Sequence, residues 1–352
     1  MTEQSDTTIY HPFVSFCLGG KTVILNEVSY EFGPFIDFLK MKFYLKISTG
    51  LIITALIVYW NPQPAASAAE TNQSGTLAGI TLSSKEITNG SLLLLQIETR
   101  KLGPPVSNIR LTFQKREYPV YLHPVDPADN HFGLIAIPFR TAPGPAKLVL
   151  SWTNAAGDHS RTIPFRIVAG KYKTDELKVD SSRVNPNKKN IERAQKEARK
   201  IKRIYADGSI DRLWEGDFQL PMTSDITSPF GNKRVFNGQL KSFHNGVDFR
   251  ARSATPVFAA NSGIVKLAED LFYSGNAVVI DHGTGIFTIY AHLSRIDVTP
   301  GRYIEKGQRL GLTGATGRVS GPHLHWGVKV NGIAVNPMQL IKILSPLLPP
   351  PG

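Results

Sequence analysis

Between residues 70 and 170 the chain alternates short apolar runs with turn-forming residues. The runs are 91–97, 109–113, 120–123, 132–138, 147–152 and 162–168. Gly90, Pro104-Pro105, residues 124–127, Pro143-Gly144-Pro145 and Gly157-Asp158 punctuate them. Runs this short, interrupted this often, predict strands. About seven strands in about a hundred residues predict an immunoglobulin-like β-sandwich. Residues 187–206 break the pattern. Ile191, Ala194, Ala198, Ile201 and Ile204 recur at helical spacing, and Asn185-Pro186 or Asn187 can start the helix. From residue 217 the chain is again β-rich and Gly-rich. Apolar stretches 277–281 and 286–292 flank His282-Gly283-Thr284-Gly285, and 328–330 and 333–335 flank Asn331-Gly332. Both read as hairpins, the second carrying the strongest short hairpin signal. His282 sits in its turn and reads as a bystander. The domain boundaries expected are therefore a sandwich over 70–170, a helical linker over 171–216, a second β domain over 217–340 and a Pro-rich tail over 341–352, loose from Pro346.

Charge changes this picture at the helix. Lys188, Lys189, Arg193, Lys196, Arg199, Lys200, Lys202 and Arg203 make its polar face basic. Such a helix packs on a neighbour within a linker, and is also suited to membrane-surface contact at anionic headgroups. The whole chain of 352 residues carries a formal net charge of +12. An anionic polymer is the partner this implies, and for an exported chain a wall polymer fits better than nucleic acid. Export is read from residues 41–68. Met41-Lys42-Phe43-Tyr44-Leu45-Lys46 gives a basic start, 47–60 is apolar, and Ala66-Ser67-Ala68 is a small-x-small cleavage site. The expectation is a signal peptide cleaved near Ala68, with a signal-anchor as the alternative, and a periplasmic or envelope location. Residues 1–40, which precede it, read as a doubtful extension with Met41 as the start. A single cysteine, Cys17, excludes an internal disulfide framework.

The candidate chemistry lies in three short segments. They are His244-Asn245-Gly246-Val247-Asp248, Tyr290-Ala291-His292-Leu293 and Ser320-Gly321-Pro322-His323-Leu324-His325-Trp326. In an extended strand, residues at even offsets share a face, so His244 with Asp248, and His323 with His325, can each project into one cleft. Asn245-Gly246, and Pro322 before an alternating run, favour strand over helix. Two imidazoles and a carboxylate make a three-ligand site for a divalent metal, leaving a fourth position to water. The ligands are His244, Asp248 and one histidine of the 323/325 pair. The other histidine of that pair, and His292, remain as free imidazoles able to move a proton or stabilise an oxyanion.

These motifs resemble those of the M23 metallopeptidases, the lysostaphin-type or LytM-like cell-wall endopeptidases. The resemblance runs from about Asp225 to Met338. It includes Thr227-Ser228-Pro229-Phe230-Gly231 before the first ligand and Gly311-Leu312-Thr313-Gly314-Ala315-Thr316-Gly317 before the last. It implies a mainly antiparallel β catalytic domain, with His244, Asp248 and His325 as zinc ligands and His323 and His292 as catalytic, non-ligand histidines. It implies hydrolysis of peptide bonds in peptidoglycan stems or cross-bridges. Some members of the family place a tyrosine shortly before the first ligand. Here that region offers only Phe236 and Phe243, so the role is empty or filled from elsewhere. Two other functions stay open: a zinc-free scaffold that activates a wall amidase, which the full ligand set disfavours, and a secreted protease of Gly-rich proteins. The sandwich shows no chemistry of its own and reads as a module that positions or shields the site.

Overall fold

The computed structural model describes residues 14–18, 21–25 and 76–347. The export signal read at 41–68 and the last tail residues lie outside the described residues. The chain divides into two compact units, residues 1–71 and 72–352. In the first, β1 (Val14–Leu18) and β2 (Lys21–Leu25) pair antiparallel.

The second unit opens with ten strands. They are β3 (Thr76–Leu77), β4 (Ile80–Leu82), β5 (Glu86–Thr88), β6 (Leu92–Glu98), β7 (Ser107–Phe113), β8 (Arg116–Tyr118), β9 (Val120–Leu122), β10 (Asn130–Ala136), β11 (Gly144–Asn154) and β12 (Gly157–Val168). They form two five-stranded sheets, ordered β3-β4-β6-β10-β9 and β5-β12-β11-β7-β8. Every apolar run of the sequence lies in one of these strands. The strands beyond the expected seven are short or polar. β8, for example, is reached through Gln114 and Lys115, which both adopt positive φ (48° and 63°). A two-residue hairpin needs that geometry, but usually takes it from Asn and Gly.

Alternation along β6 explains the layering. Leu93, Leu95 and Ile97 face the second sheet and pack with Leu111, Leu148, Leu150 and Ile163. Leu92 and Leu94 face the other way and join a core that contains Trp214, Val328, Val330 and Leu340. A strand buried on both faces reads as a continuous apolar run, which Leu92-Leu93-Leu94-Leu95 is. The sandwich therefore shares a hydrophobic core with the domain that follows.

The stretch read as a linker is built into the structure. β13 (Thr174–Leu177) pairs in parallel with β15 (Lys233–Phe236), which pairs with β16 (Gln239–Phe243). After the short α1 (Ser181–Val184), α2 (Lys188–Ala206) is capped by the Asn187 side chain, which accepts from the Asn190 N–H at 2.9 Å. Ile201, Ile204 and Tyr205 pack against Leu267, Val279 and Phe287. Arg193 pairs with Asp270 at 2.8 Å, and Lys200 pairs with Glu269. Part of the basic face is thus spent on docking, as the packing reading of this helix expects. Trp214 is 1% exposed and donates from Nε1 to Thr284 Oγ1 at 3.0 Å.

A ten-stranded sheet carries the remainder: β14 (Ile226–Ser228), β17 (Gly246–Arg250), β18 (Pro256–Phe258), β19 (Gly263–Leu271), β20 (Gly275–Asp281), β21 (Ile286–Ile296), β22 (Tyr303–Ile304), β23 (Arg309–Thr313), β24 (His323–Val330) and β25 (Ile333–Val335). Its main path is β14-β17-β24-β21-β20-β19-β22. Both expected hairpins form, β20–β21 and β24–β25. The residues that lead into the tail are packed. α3 (Pro337–Leu344) and a 3₁₀ turn (Ser345–Leu347) bury Leu340, Leu344 and Leu347 in the shared core. Leucine and isoleucine at helical spacing outweigh the prolines that follow.

The junction between sandwich and second domain is polar as well as apolar. The Gln339 amide accepts from Leu92 N–H at 2.7 Å and donates to Leu92 C=O at 2.9 Å. Asn331 Nδ2 donates to Leu134 C=O at 3.1 Å. Replacing Gln339 by Leu strands two backbone groups of β6 and should cost about 1–3 kcal/mol. Denaturant titration should show a single transition at a lower midpoint. Two separate transitions in the unaltered chain would show that the modules fold independently.

Candidate metal centre

The site rests on two strand pairings. β17 and β24 run antiparallel with Asp248 directly opposite His325. On the other side of β24, Ala291 of β21 stands opposite His325. Along β24, Leu324 and Trp326 enter the core while His323 and His325 face out at the half-buried surface. The even-offset argument therefore holds for that pair. It does not hold for His244, which lies before β17 in the connection from β16. Its position is set by backbone bonds instead: His244 N–H donates to Asn232 C=O and His244 C=O accepts from Gly231 N–H, both at 2.8 Å. Gly246 is required between them, because a Cβ there would sit 2.3 Å from the Trp326 carbonyl oxygen and 2.8 Å from the His325 ring.

All five sequence-derived site residues come together. His244 Nε2 lies 2.9 Å from Asp248 Oδ1 and 3.0 Å from His325 Nδ1, and His325 Nδ1 lies 2.8 Å from Asp248 Oδ1. These three residues form a group that could hold a metal ion. Ligand atoms around a tetrahedral zinc stand about 3.3 Å apart, given bonds of about 2.0–2.2 Å. The observed spacings are slightly inside that value. The tautomers also fit. His244 Nδ1 donates to Pro229 C=O at 2.9 Å, which leaves its Nε2 with a lone pair toward the centre. Two neutral imidazoles and one carboxylate are a donor set suited to zinc.

Two further imidazoles flank the triad. His323 Nδ1 donates to Gly321 C=O at 2.9 Å, and its Nε2 is buried, has no partner and lies 3.8 Å from Asp248 Oδ2. His292 Nδ1 donates to Thr316 C=O at 2.8 Å, and its ring centre is 4.8 Å from that of His323. His292 breaks the regular ladder of β21 with φ of 65°, a left-handed conformation that costs a β-carbon residue energy. The kink turns its ring toward the pair on β24. Burial pushes His244 down to about 4, against the pull of Asp248. Burial also lowers His323, and it holds His292 well below the ordinary range together with repulsion from His323 and His325. Burial alone would raise Asp248, but the adjoining His244 and His325 side chains hold it well below the carboxylate range.

Sequence reasoning missed Arg234. Its guanidinium pairs with Asp248 Oδ2 and donates to Ser228 Oγ at 3.2 Å. That leaves Oδ1 turned to the two histidines. Nothing in a single sequence distinguishes Arg234 from the chain's other arginines. Phe236 lies beneath the Arg318 guanidinium, and Phe243 packs on Phe139 with ring centres 4.5 Å apart. A groove of about 450 Å³ opens over Asp248 and His323, with Arg234, Arg318 and Asp175 among its walls. His282 takes no part: it is fully buried, bonded to Ser262 C=O and Thr288 Oγ1 at 2.7 Å each, as its reading as a bystander expects.

A His–Asp–His set that could hold a metal ion, with two further imidazoles beside it, is the arrangement a metallohydrolase uses. Residues 242–337 match the profile described as Peptidase family M23. The peptidoglycan DD-endopeptidase ShyA of Vibrio cholerae is 41% identical over 138 residues, which is 38% of this chain and 32% of ShyA. The DD-carboxypeptidase/endopeptidase Mpg of Neisseria meningitidis is 38% identical over 115 residues, 33% of this chain and 26% of Mpg. The chain thus spans about a third or less of the length of these relatives. A solved Pseudomonas aeruginosa structure described as a peptidase M23 superposes with TM-score 0.54 and 28% identity, covering 72% of this chain and 94% of that one. Residues 242–337, which carry the site, are thus a peptidase family M23 domain.

Two outcomes follow from the geometry. Arg234→Met should leave the fold intact and weaken metal affinity about 10–100-fold, as loss of an outer partner of a ligand does. Titration against a competing chelator reads this. His282, held near 4 by burial, binds fewer protons folded than unfolded below its usual 6.5. Stability should therefore rise with pH across that window and fall on acidification from 6.5 toward 4, by up to about 3 kcal/mol. Chemical denaturation at a series of pH values checks it, and His282→Asn should flatten that part of the profile.

Proposed function

We propose that this chain is an exported zinc metalloendopeptidase that hydrolyses peptide bonds in peptidoglycan stems or cross-bridges. One observation carries the reading: His244, Asp248 and His325 converge within 3.0 Å of one another, and Asp248 also lines an open groove with His323. The description of ShyA as a peptidoglycan DD-endopeptidase supports peptidoglycan as the substrate class. His244, Asp248 and His325 would hold a zinc ion, which would supply Lewis-acid polarisation of a carbonyl and a lowered pKa for a bound water.

The remaining work belongs to the side chains. His323 and His292 are neutral at physiological pH, each with Nδ1 committed to a carbonyl. In this reading His323 Nε2, buried without a hydrogen-bond partner, takes a proton from water and returns it to the leaving amine. His292 stabilises charge on the carbonyl oxygen. Arg234 orients Asp248. The domain layout supports a division of labour in which the sandwich braces the catalytic domain, while the unpaired cations of α2 attract the anionic wall or a membrane surface. A scaffold role is disfavoured because the ligand set and both free histidines are present.

Zinc-loaded chain beginning at Ala69 should release stem-peptide fragments from purified peptidoglycan, identified by mass. His325→Ala should lose the metal. His323→Ala should retain it and lose about 10²–10⁴-fold in turnover. Metal retained in His325→Ala and lost in His323→Ala would reverse the roles of the pair.

A further inference from the structure

Arg318 lies in the segment between β23 and β24 and lines the same groove as Asp248 and His323. Its backbone N–H is tied to Tyr273 C=O at 2.8 Å. Its guanidinium carbon stands 4.2 Å from the ring centre of Phe236 and 4.5 Å from that of Tyr273. Rings on two sides hold this cation by cation–π attraction and remove rotamer freedom. What it lacks is an anion. Among the described residues no carboxylate lies within ion-pairing reach of Arg318. The other charges of the groove are already accounted for. Arg234 is spent on Asp248. Asp175 accepts from Asn232 Nδ2 at 2.8 Å and from Ser228 Oγ. Glu176, on the β13 side, is exposed and screened by solvent. Burial, with repulsion from Arg234 and against the pull of Tyr273, lowers the pKa of Arg318.

We infer that Arg318 is a specificity-determining residue, which receives a free carboxylate carried by the substrate peptide close to the bond that is cut. With rings over the guanidinium, its N–H donors open toward the groove edge-on. A planar carboxylate meets such an edge with two parallel hydrogen bonds, which a carboxamide cannot reproduce. The groove then favours peptides whose residue beside the scissile bond keeps its acid group over those in which it is amidated. This rests on the peptidase reading above, and deepens it by naming what the groove reads.

The test uses two synthetic cross-linked stem peptides that differ only in whether the residue beside the scissile bond ends in a carboxylate or a carboxamide. The full chain, zinc-loaded, should cut the carboxylate form with kcat/KM about tenfold or more above the amide. Arg318→Gln should bring that ratio close to one, chiefly by raising KM for the carboxylate peptide, and Arg318→Lys should restore part of it. Because the ratio is taken within each variant, it does not depend on the folded fraction. Isothermal titration of the metal-free chain with both peptides should show the same preference when nothing is cleaved. Preference in binding without cleavage would sink the peptidase reading and keep this one. No preference in the unaltered chain, or equal losses on both peptides in Arg318→Gln, would overturn it.

Discussion

The register between β17 and β24 is the constraint on which the rest of the site depends. It sets Asp248 opposite His325, and the same ladder fixes which face of β24 meets the core. A slip of one residue would carry both imidazoles inward and put Leu324 and Trp326 into the groove. Both of those side chains are fully buried, so the slip would expose two large apolar groups and bury two polar rings. Hydrophobic burial on the far side of the sheet thus sets the register that brings three ligand atoms within 3.0 Å of one another. The triad is preorganised by that packing.

Much of this was legible in the sequence. The strand pair that brings His323 and His325 to one face follows from period two, and the Asn331-Gly332 turn marks where β24 ends. The six apolar runs of the sandwich and the Asn187 cap of α2 follow from local patterning alone. What was not legible is long-range. His244 reaches the site through backbone bonds to Gly231 and Asn232, not through the strand of Asp248. His292 owes its aim to a left-handed backbone that no local composition signals. Arg234 and Arg318 acquire meaning only from neighbours far away in the chain: Asp248 for one, Tyr273 and Phe236 for the other. β13 was hidden because its partner, β15, is also distant and the pairing is parallel.

Net charge also looks different once the contacts are known. The sequence presents an excess of cations, and the basic helix is its most visible cluster. Arg193 and Lys200 of that helix are tied to Asp270 and Glu269, so part of the cluster docks α2 against the sheet. Near the centre, cation and anion are matched one to one at Arg234 and Asp248. The positive excess of the molecule is therefore an attribute of its outside, while the groove holds cations and carboxylates side by side.

The sheet holding β6 and β10 is buried on both faces, which makes the sandwich a structural layer of the catalytic half. The covalent link between the two halves passes through residues 169–187, but the attachment does not reside there. Leu92, Leu94, Phe132 and Leu134 on one side meet Val328, Val330, Leu340 and Leu344 on the other. Gln339 and Asn331 add directed bonds across the seam. A protease that nicked the chain in that stretch would thus leave two polypeptides bound as a complementation pair. Shedding the first half, by contrast, would uncover an apolar wall that seeks another surface, making the truncated catalytic half adhesive to membranes, to chaperones or to itself.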